Sequence, residues 1–446
     1  MYEMDKKITI VGAGSHFTLG LLGDLYRVND LWGSELMLYD IDEERARAME
    51  KIIRRDVEHR DADLSVNATS DKTEALENSD FTIVAIRAGG LRALRKFLEI
   101  PLRHGILQVV GDTVGPSGIL KGLFEIPAIL EIAETLEDLS PKALMINFTN
   151  PMTPICMSVL KATKIKTVGL CHGVYDIIRL ASKLLDLEFD KIKLEAGGIN
   201  HLTWVTSMKY SKTEILDDFN RAVLEGRRWD IIKAHPYIVG RQLLKAYKHP
   251  ATASDRHIAE FFHYLYEWFR DPEISNILKK ISRYIDYEKL TLSDKIIEDA
   301  EARWRWLLRA ARGEIPVEVK PSYESAMDII SSVVNDKRRE LIAVNLPNDS
   351  YIDEVSDGYV VEVPGIVDGN GVRGKPIGRL STPVSTILNM HLKKFELLVQ
   401  GILEESKDLV LEAIAIDPLT TSPEKAEVIL KEFLEEARDL LAIDLK

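Results

Sequence analysis

Two cysteines in 446 residues exclude a disulfide framework, so Cys156 and Cys171 read as reduced thiols. Long apolar runs are also missing. No stretch of the chain approaches the roughly 18 uninterrupted apolar residues of a membrane span. The first residues, MYEMDKKITIVGAG, pass from a polar start into a strand and a glycine turn, without the apolar core and cleavage site of a signal peptide. No membrane partner is expected, and the cytoplasm is the expected compartment. Positive charge is in deficit. The 58 Lys and Arg against 71 Asp and Glu leave a net charge of -13, the wrong sign for gripping a phosphate backbone. No nucleic acid partner is expected, and a small molecule fits better. Low-complexity tracts and fixed-period repeats are absent as well, and the 26 Gly and 17 Pro suit an ordinary folded chain.

What is present points to two domains, since a chain of this length exceeds what one simple core organises. Over roughly the first 170 residues, short β-branched runs alternate with amphipathic stretches, the mark of βαβ units and a parallel sheet. The runs KITIVGAG, ELMLYD, FTIVAI, ALMINF and KTVGL read as strands, with helices over 18–27 and 43–59. From about residue 190 the pattern changes. KLEAGGINHLTWVTSMKY reads as antiparallel strand, followed by mostly helical sequence, a Gly/Pro-rich region at 350–385 with one or two strands, and two closing helical stretches. The expected fold is α/β: a Rossmann-like NAD-binding domain over 1–196 and an α+β catalytic and oligomerisation domain over 197–446.

The stretch VGAGS follows a strand and opens a helix, where free N–H groups and the helix dipole favour a phosphate. Gly12 and Gly14 permit the tight turn and close approach, with Ser15 beside them. The third glycine of G-x-G-x-x-G is replaced by Phe17. Support comes from Asp40, at the end of the second strand, where an acidic side chain binds the ribose 2′-hydroxyl of NAD rather than the phosphate of NADP.

Four further stretches follow strands or form turns and carry polar groups: GDTVGPSGI with Asp112, NFTNPM with Asn150, LCHGV with Cys171 and His172, and GGINHLTW with His201. In an open parallel sheet, loops at the carboxyl ends of strands converge on one crevice. Cys171 and His201 lie too far apart in sequence for a local zinc knuckle but could meet in space as a two-ligand metal site. On residue type alone, a buried structural cysteine and a capping histidine explain the pair better. Cys156 reads as core.

Taken together and in order, VGAGSHFTLGLLGDL, GDTVGPSGILKG, NFTNPM, LCHGV, GINHLTW, ASDRHIAEF and VEVPGIVDGNGV resemble glycoside hydrolase family 4, over nearly the whole chain. This NAD-dependent family departs from the two-carboxylate route of most glycosidases. The resemblance implies oxidation at sugar C3, removal of the C2 proton, elimination of the glycosidic oxygen, water addition and re-reduction. It implies NAD and a divalent metal, usually Mn2+, held by Cys171 and His201. His172 would protonate the leaving oxygen, Asp255 would take the C2 proton, Asp112 would support the base or contact substrate, and Asn150 would bind sugar hydroxyls. The phospho-sugar branches have a tyrosine as base. For Asp255 a helix cap is the competing role, and His257 reads either as an active-site group or as part of a helix's first turn. A homodimer or homotetramer is implied.

Cys-His-Gly-Val resembles the α-glucuronidase branch, against Cys-His-Glu-Val in α-galacturonidases and Cys-His-Ser-Val in α-galactosidases and α-glucosidases. A small-molecule α-glucuronide is the expected substrate, its carboxylate met by an arginine fork; Arg256, Arg92 and Arg95 are the candidates. The rivals are a lactate/malate-type dehydrogenase, which needs no Cys/His metal site, and a non-catalytic NAD sensor.

Overall fold

The computed structural model describes residues 6–282 and 284–446. Its frame is a parallel sheet of six strands, β1 (Lys7–Val11), β2 (Ser34–Tyr39), β3 (Leu64–Thr69), β4 (Phe81–Val84), β5 (Leu144–Asn147) and β6 (Lys166–Gly169). They lie in the order β3-β2-β1-β4-β5-β6, that of the dinucleotide-binding fold. Helices cover both faces of such a sheet, so its central strands read as unbroken apolar runs: all of FTIV and all but the first residue of KITIV are buried. The crossover helices Phe17–Arg27 and Glu43–Arg60 fall where expected, the second capped by Asp42, which accepts from Arg45 N at 3.2 Å. The edge strand β3 was not expected. Its LSVNAT exposes Ser65 and Asn67, so it lacks the apolar run that marks its neighbours.

The sheet continues past β6 with antiparallel strands. A hairpin of β7 (Ile192–Ile199) and β8 (Leu202–Tyr210) leads to the short β9 (Thr213–Glu214), and β10 (Ile285–Asp286) pairs with β11 (Thr291–Leu292) apart from the main sheet. Then β12 (Arg339–Pro347), β13 (Val360–Asp368) and β14 (Gly371–Gly374) complete it, giving β6-β12-β13-β7-β8-β9 with β14 on β13. Single bridges join these parts, Asn345 to Gly169 and Glu362 to Gly198. The position between residues 196 and 197 falls inside β7. The closing helical region holds three helices rather than two, Thr382–Leu403, Lys407–Ala415 and Pro423–Glu436. Glu405 at φ +51° and the Ser406 cap, accepting from Leu409 N, separate the first two. No helix among the described residues is long and apolar enough to cross a membrane.

One buried ion pair joins the closing helical region to the long helix Gly115–Leu139. Lys394, on helix Thr382–Leu403, donates to Asp417 at 2.6 Å with both side chains shut off from water. Asp417 also accepts from Gly115 N at 3.1 Å, the first residue of the long helix Gly115–Leu139. Removing one partner of such a pair strands a buried charge. Lys394→Met is therefore expected to lower the unfolding free energy by about 3 to 5 kcal/mol, read by urea denaturation, with Asp417→Asn in the same chain recovering part of the loss. A Lys394→Met protein as stable as wild type would contradict this role.

Candidate active site

The glycine turn at the end of β1 is as tight as its sequence demands. Gly12 sits at φ +85°, and a Cβ there would lie 2.4 Å from the Ala85 carbonyl oxygen. The amides of Gly12 and Ala13 both donate to Tyr39 O, at 2.9 and 3.0 Å. At Gly14 a Cβ would press on Arg45 Cβ and on Asp40 Oδ2, at 2.5 and 2.8 Å. Asp40, just past β2, accepts from Gly14 N at 2.9 Å through Oδ2 and from Asp42 N at 3.0 Å through Oδ1. Burial pushes its carboxyl up, against these bonds. Ser15 is exposed, its Oγ accepting from Phe17 N at 3.3 Å. An acid fixed beside a bare glycine turn at the carboxyl ends of β1 and β2 fits a dinucleotide, phosphates on the turn and ribose on the acid.

A second cluster forms where the loop after helix Gly90–Arg103, the loop after β6 and the β7–β8 hairpin meet. The hairpin turn is only Asn200 and His201, since Ile199 already pairs with Leu202. His201 occupies the left-handed region at φ +67°, a conformation held by its surroundings rather than favoured by the residue. Its Nε2 lies 3.3 Å from Cys171 Sγ. Its Nδ1 lies 2.9 Å from Thr113 Oγ1, whose single proton goes to Asp112 Oδ1 at 2.8 Å. By that accounting His201 Nδ1 donates to Thr113, and Nε2 keeps its lone pair on the side of the thiol. Burial drives His201 well below its ordinary pKa, so the ring is neutral and able to act as a ligand. Burial alone would raise Asp112, but His257, Lys121 and His201 outweigh it and hold the carboxyl well below the usual range.

His257 completes the group. Its ring stacks on His201 with centroids 3.9 Å apart, and its Nδ1 stands 3.9 Å from Asp112 Oδ1, buried and without a hydrogen-bond partner. One ligand atom each from Asp112, His201 and His257 falls within 4.8 Å of the others. Two imidazoles and a carboxylate within reach of one another, with an orphaned ring nitrogen among them and a thiol against His201 Nε2, fit a divalent cation. The Cys171 thiol itself is pushed up to about 12 by burial and by Glu362 nearby, so coordination would have to draw off its proton.

His172 turns the other way. Its largely exposed ring places Nδ1 2.7 Å from Glu324 Oε1, and that bond raises the imidazole's pKa. Glu324 is set by an anchor on the first helix: Asp24 accepts from Ser322 N and Tyr323 N, at 3.2 and 2.9 Å. Asn150, after β5, is half-buried and its Oδ1 accepts from Met152 N at 3.3 Å. Asp255 is fully buried and does not share in the cluster's hydrogen bonds. Its Oδ2 accepts from Ile238 N and Val239 N, at 2.6 and 3.0 Å, and its Oδ1 from Gly240 N at 2.9 Å, across the start of helix Ile238–Tyr247. Burial, opposed by those bonds, brings its carboxyl to about 6. Arg256 follows it, with Nε buried and unpartnered.

The structure thus gathers Cys171, His201 and Asp112 with Thr113 and His257, and Gly12, Gly14 and Asp40 with one another. Thr113 sits in the motif that drew notice to Asp112, so adjacency was its only signal. Glu324, in SYESA, had none, because its role exists only once the chain has folded.

Residues 7–187 match the sequence model of the family 4 glycosyl hydrolases, and residues 196–420 match that of the family's C-terminal domain. An α-glucosidase of Erwinia rhapontici is 29% identical over 96% of this chain and 98% of its own. An α-galacturonidase of Bacillus subtilis is 30% identical over 93% of each chain. A solved structure of a putative glucosidase from Bacillus subtilis, 27% identical, superposes with a TM-score of 0.83 over 96% of this chain and 100% of that one. A 6-phospho-α-glucosidase from gut microorganisms, solved in complex with NAD and Mn2+, shares the fold at 22% identity, with a TM-score of 0.80 over 99% of this chain and 100% of that one. With both family matches laid end to end along a sheet that carries the glycine turn and the Cys/His cluster, the chain belongs to family 4 of the glycosyl hydrolases.

Proposed function

We propose that this enzyme hydrolyses α-linked glucuronides with NAD and Mn2+ as cofactors. The observation that carries the reading is the meeting of Cys171, His201, Asp112 and His257 in a chain that also carries a dinucleotide turn. When bound, NAD+ would supply a hydride acceptor, and a divalent metal would supply Lewis acidity toward the sugar's hydroxyl oxygens. Gly12, Gly14 and Ser15 receive the cofactor's phosphates and Asp40 its ribose. Cys171 and His201 would hold the metal, with Asp112 and His257 as further donors.

His172 delivers the proton to the departing glycosidic oxygen, and its bond to Glu324 keeps that proton available. Asp255 takes the C2 proton. A pKa of about 6 gives it useful basicity, and three amides fill only three of its roughly four acceptor positions, leaving one on Oδ1. Asn150 binds sugar hydroxyls.

One feature favours a uronide, and a second locates the residue that differs among the family's branches. Arg256 has a buried, unpartnered Nε and lies close enough to His201 and His257 to depress both, whereas Arg92 and Arg95 reach outward to Asp439 and Asp294. The glycine of Cys-His-Gly-Val also faces the cluster: a Cβ on Gly173 would lie 3.4 Å from His201 Cδ2 and 3.6 Å from Cys171 Sγ. A residue that varies among branches of the family would therefore project over the metal ligands. The name of the similar Bacillus subtilis α-galacturonidase favours the C4 epimer as a second reading.

A panel of aryl α-glycosides with NAD+, Mn2+ and a thiol reductant decides the matter. The α-glucuronide is expected to be turned over with kcat/KM at least about tenfold above the α-glucoside, the scale of a charge-assisted hydrogen bond to its carboxylate, and faster than the α-galacturonide, which keeps the carboxylate and differs at C4. Faster turnover of the galacturonide would replace the glucuronide reading, and faster turnover of the glucoside would remove the uronide reading altogether. Cys171→Ser is expected to abolish activity and Mn2+ retention while leaving NAD+ affinity within about twofold, because the phosphates sit on another loop. An active, Mn2+-replete Cys171→Ser enzyme would sink the metal assignment.

A further inference from the structure

Asp112 and Thr113 lie on a stretch with no regular structure, between helix Gly90–Arg103 and helix Gly115–Leu139. Three successive amides in that loop, from Val109, Val110 and Gly111, point at a single oxygen. They donate to Oε1 of Glu260, at 2.6 Å for Val110 and 3.0 Å for Gly111, and Gly111 N also reaches Oε2 at 3.2 Å. Successive backbone N–H groups that converge like this form an anion-binding hollow, here filled by the protein's own carboxylate. Glu260 is buried, at 1% exposure, and makes no ion pair among the described residues; burial pushes its carboxyl up to about 8, and the amides oppose that rise. Gly111 at φ +66° permits the curl. A Cβ there would lie 2.4 Å from Leu98 Cδ2 and 3.0 Å from Ser117 Cβ.

Glu260 belongs to the same short segment as His257, three positions further on, in the turn Ala259–Phe261 that follows helix Asp255–Ile258. One rigid segment thus presents His257 to the cluster and grips the loop that presents Asp112. We propose that Glu260 is a positioning residue, holding loop 109–111 so that Asp112 stands at the right spacing from His257 and His201 to share a divalent cation with them. The inference rests on the metal-dependent reading above and extends it to a residue that touches neither metal nor substrate.

The test is Glu260→Gln in the full chain, with Mn2+ affinity read by electron paramagnetic resonance titration and NAD+ affinity by fluorescence. The amide keeps the shape, and its Nε2 sets a donor against Gly111 N. Mn2+ affinity is expected to fall by about tenfold or more, the usual effect of losing a residue that orients a ligand. The kcat should fall with it, KM for the aryl glycoside should change less than twofold, and NAD+ affinity should stay within twofold. A purely structural role would lower stability and leave the Mn2+ affinity of the folded protein unchanged, which would overturn the proposal. Should Glu260→Gln lose NAD+ binding, Gly111→Ala disturbs the same loop with the carboxylate intact, and the same two affinities decide. A wild-type protein that binds no Mn2+ would overturn the metal reading and this inference together, whereas tight wild-type binding with an unaffected variant would overturn the inference alone.

Discussion

A carboxylate taken out of water must be given donors, and the backbone of an irregular loop has donors to give. Much of this structure near its site follows from that exchange. Asp24 receives the amides of Ser322 and Tyr323, Asp255 those of residues 238–240, Glu260 those of residues 109–111, and Asp417 those of Gly115 and Leu419. All four carboxylates are buried. Each bond set joins segments distant in sequence, so it fixes a loop against the rigid scaffold rather than merely completing a turn. Half-buried Asp40 does the same for the glycine turn through Gly14 N.

The scaffold supplies the other half of the geometry. Parallel strands β1, β2, β5 and β6 end on the same side, which sends the glycine turn, Asp40, Asn150 and Cys171 toward one rim. Antiparallel strands then extend the sheet beyond β6, and the β7–β8 hairpin brings His201 back to Cys171, 30 positions earlier in the chain. The two-residue turn explains why the histidine tolerates a left-handed backbone. A longer loop would relax the strain and lose the placement.

How much of this could be read from the residues depended on the range of each interaction. Strands buried on both faces announce themselves as apolar runs, so β1, β2, β4, β5 and β6 were legible. The half-exposed β3 and the β12 strand RELIAVNLP, set in sequence read as helical, were not. Cys171, His201 and Asp112 were legible as polar turn residues on loops able to converge on one crevice, but the metal role of Cys171 and His201 came only from family resemblance, since residue type alone favoured a structural cysteine and a capping histidine. Asp255 shows the limit well. Its sequence suggested a cap for the helix it begins, and the structure has it bridging the start of helix Ile238–Tyr247 instead. Glu324 and Glu260 act only through tertiary contacts; Glu260 lies in the ASDRHIAEF stretch, yet nothing in either local sequence marks the role.

The account's central claim is that this site breaks a glycosidic bond by elimination after oxidation at C3, with a proton removed from C2 along the way. Turnover of an aryl α-glucuronide in D2O, followed by NMR of the released sugar, tests that claim most directly. The account requires deuterium at C2 of the product, with no label entering when the protein is stripped of NAD+ and no product formed either. Full turnover with hydrogen retained at C2, or turnover by cofactor-free protein, would contradict it.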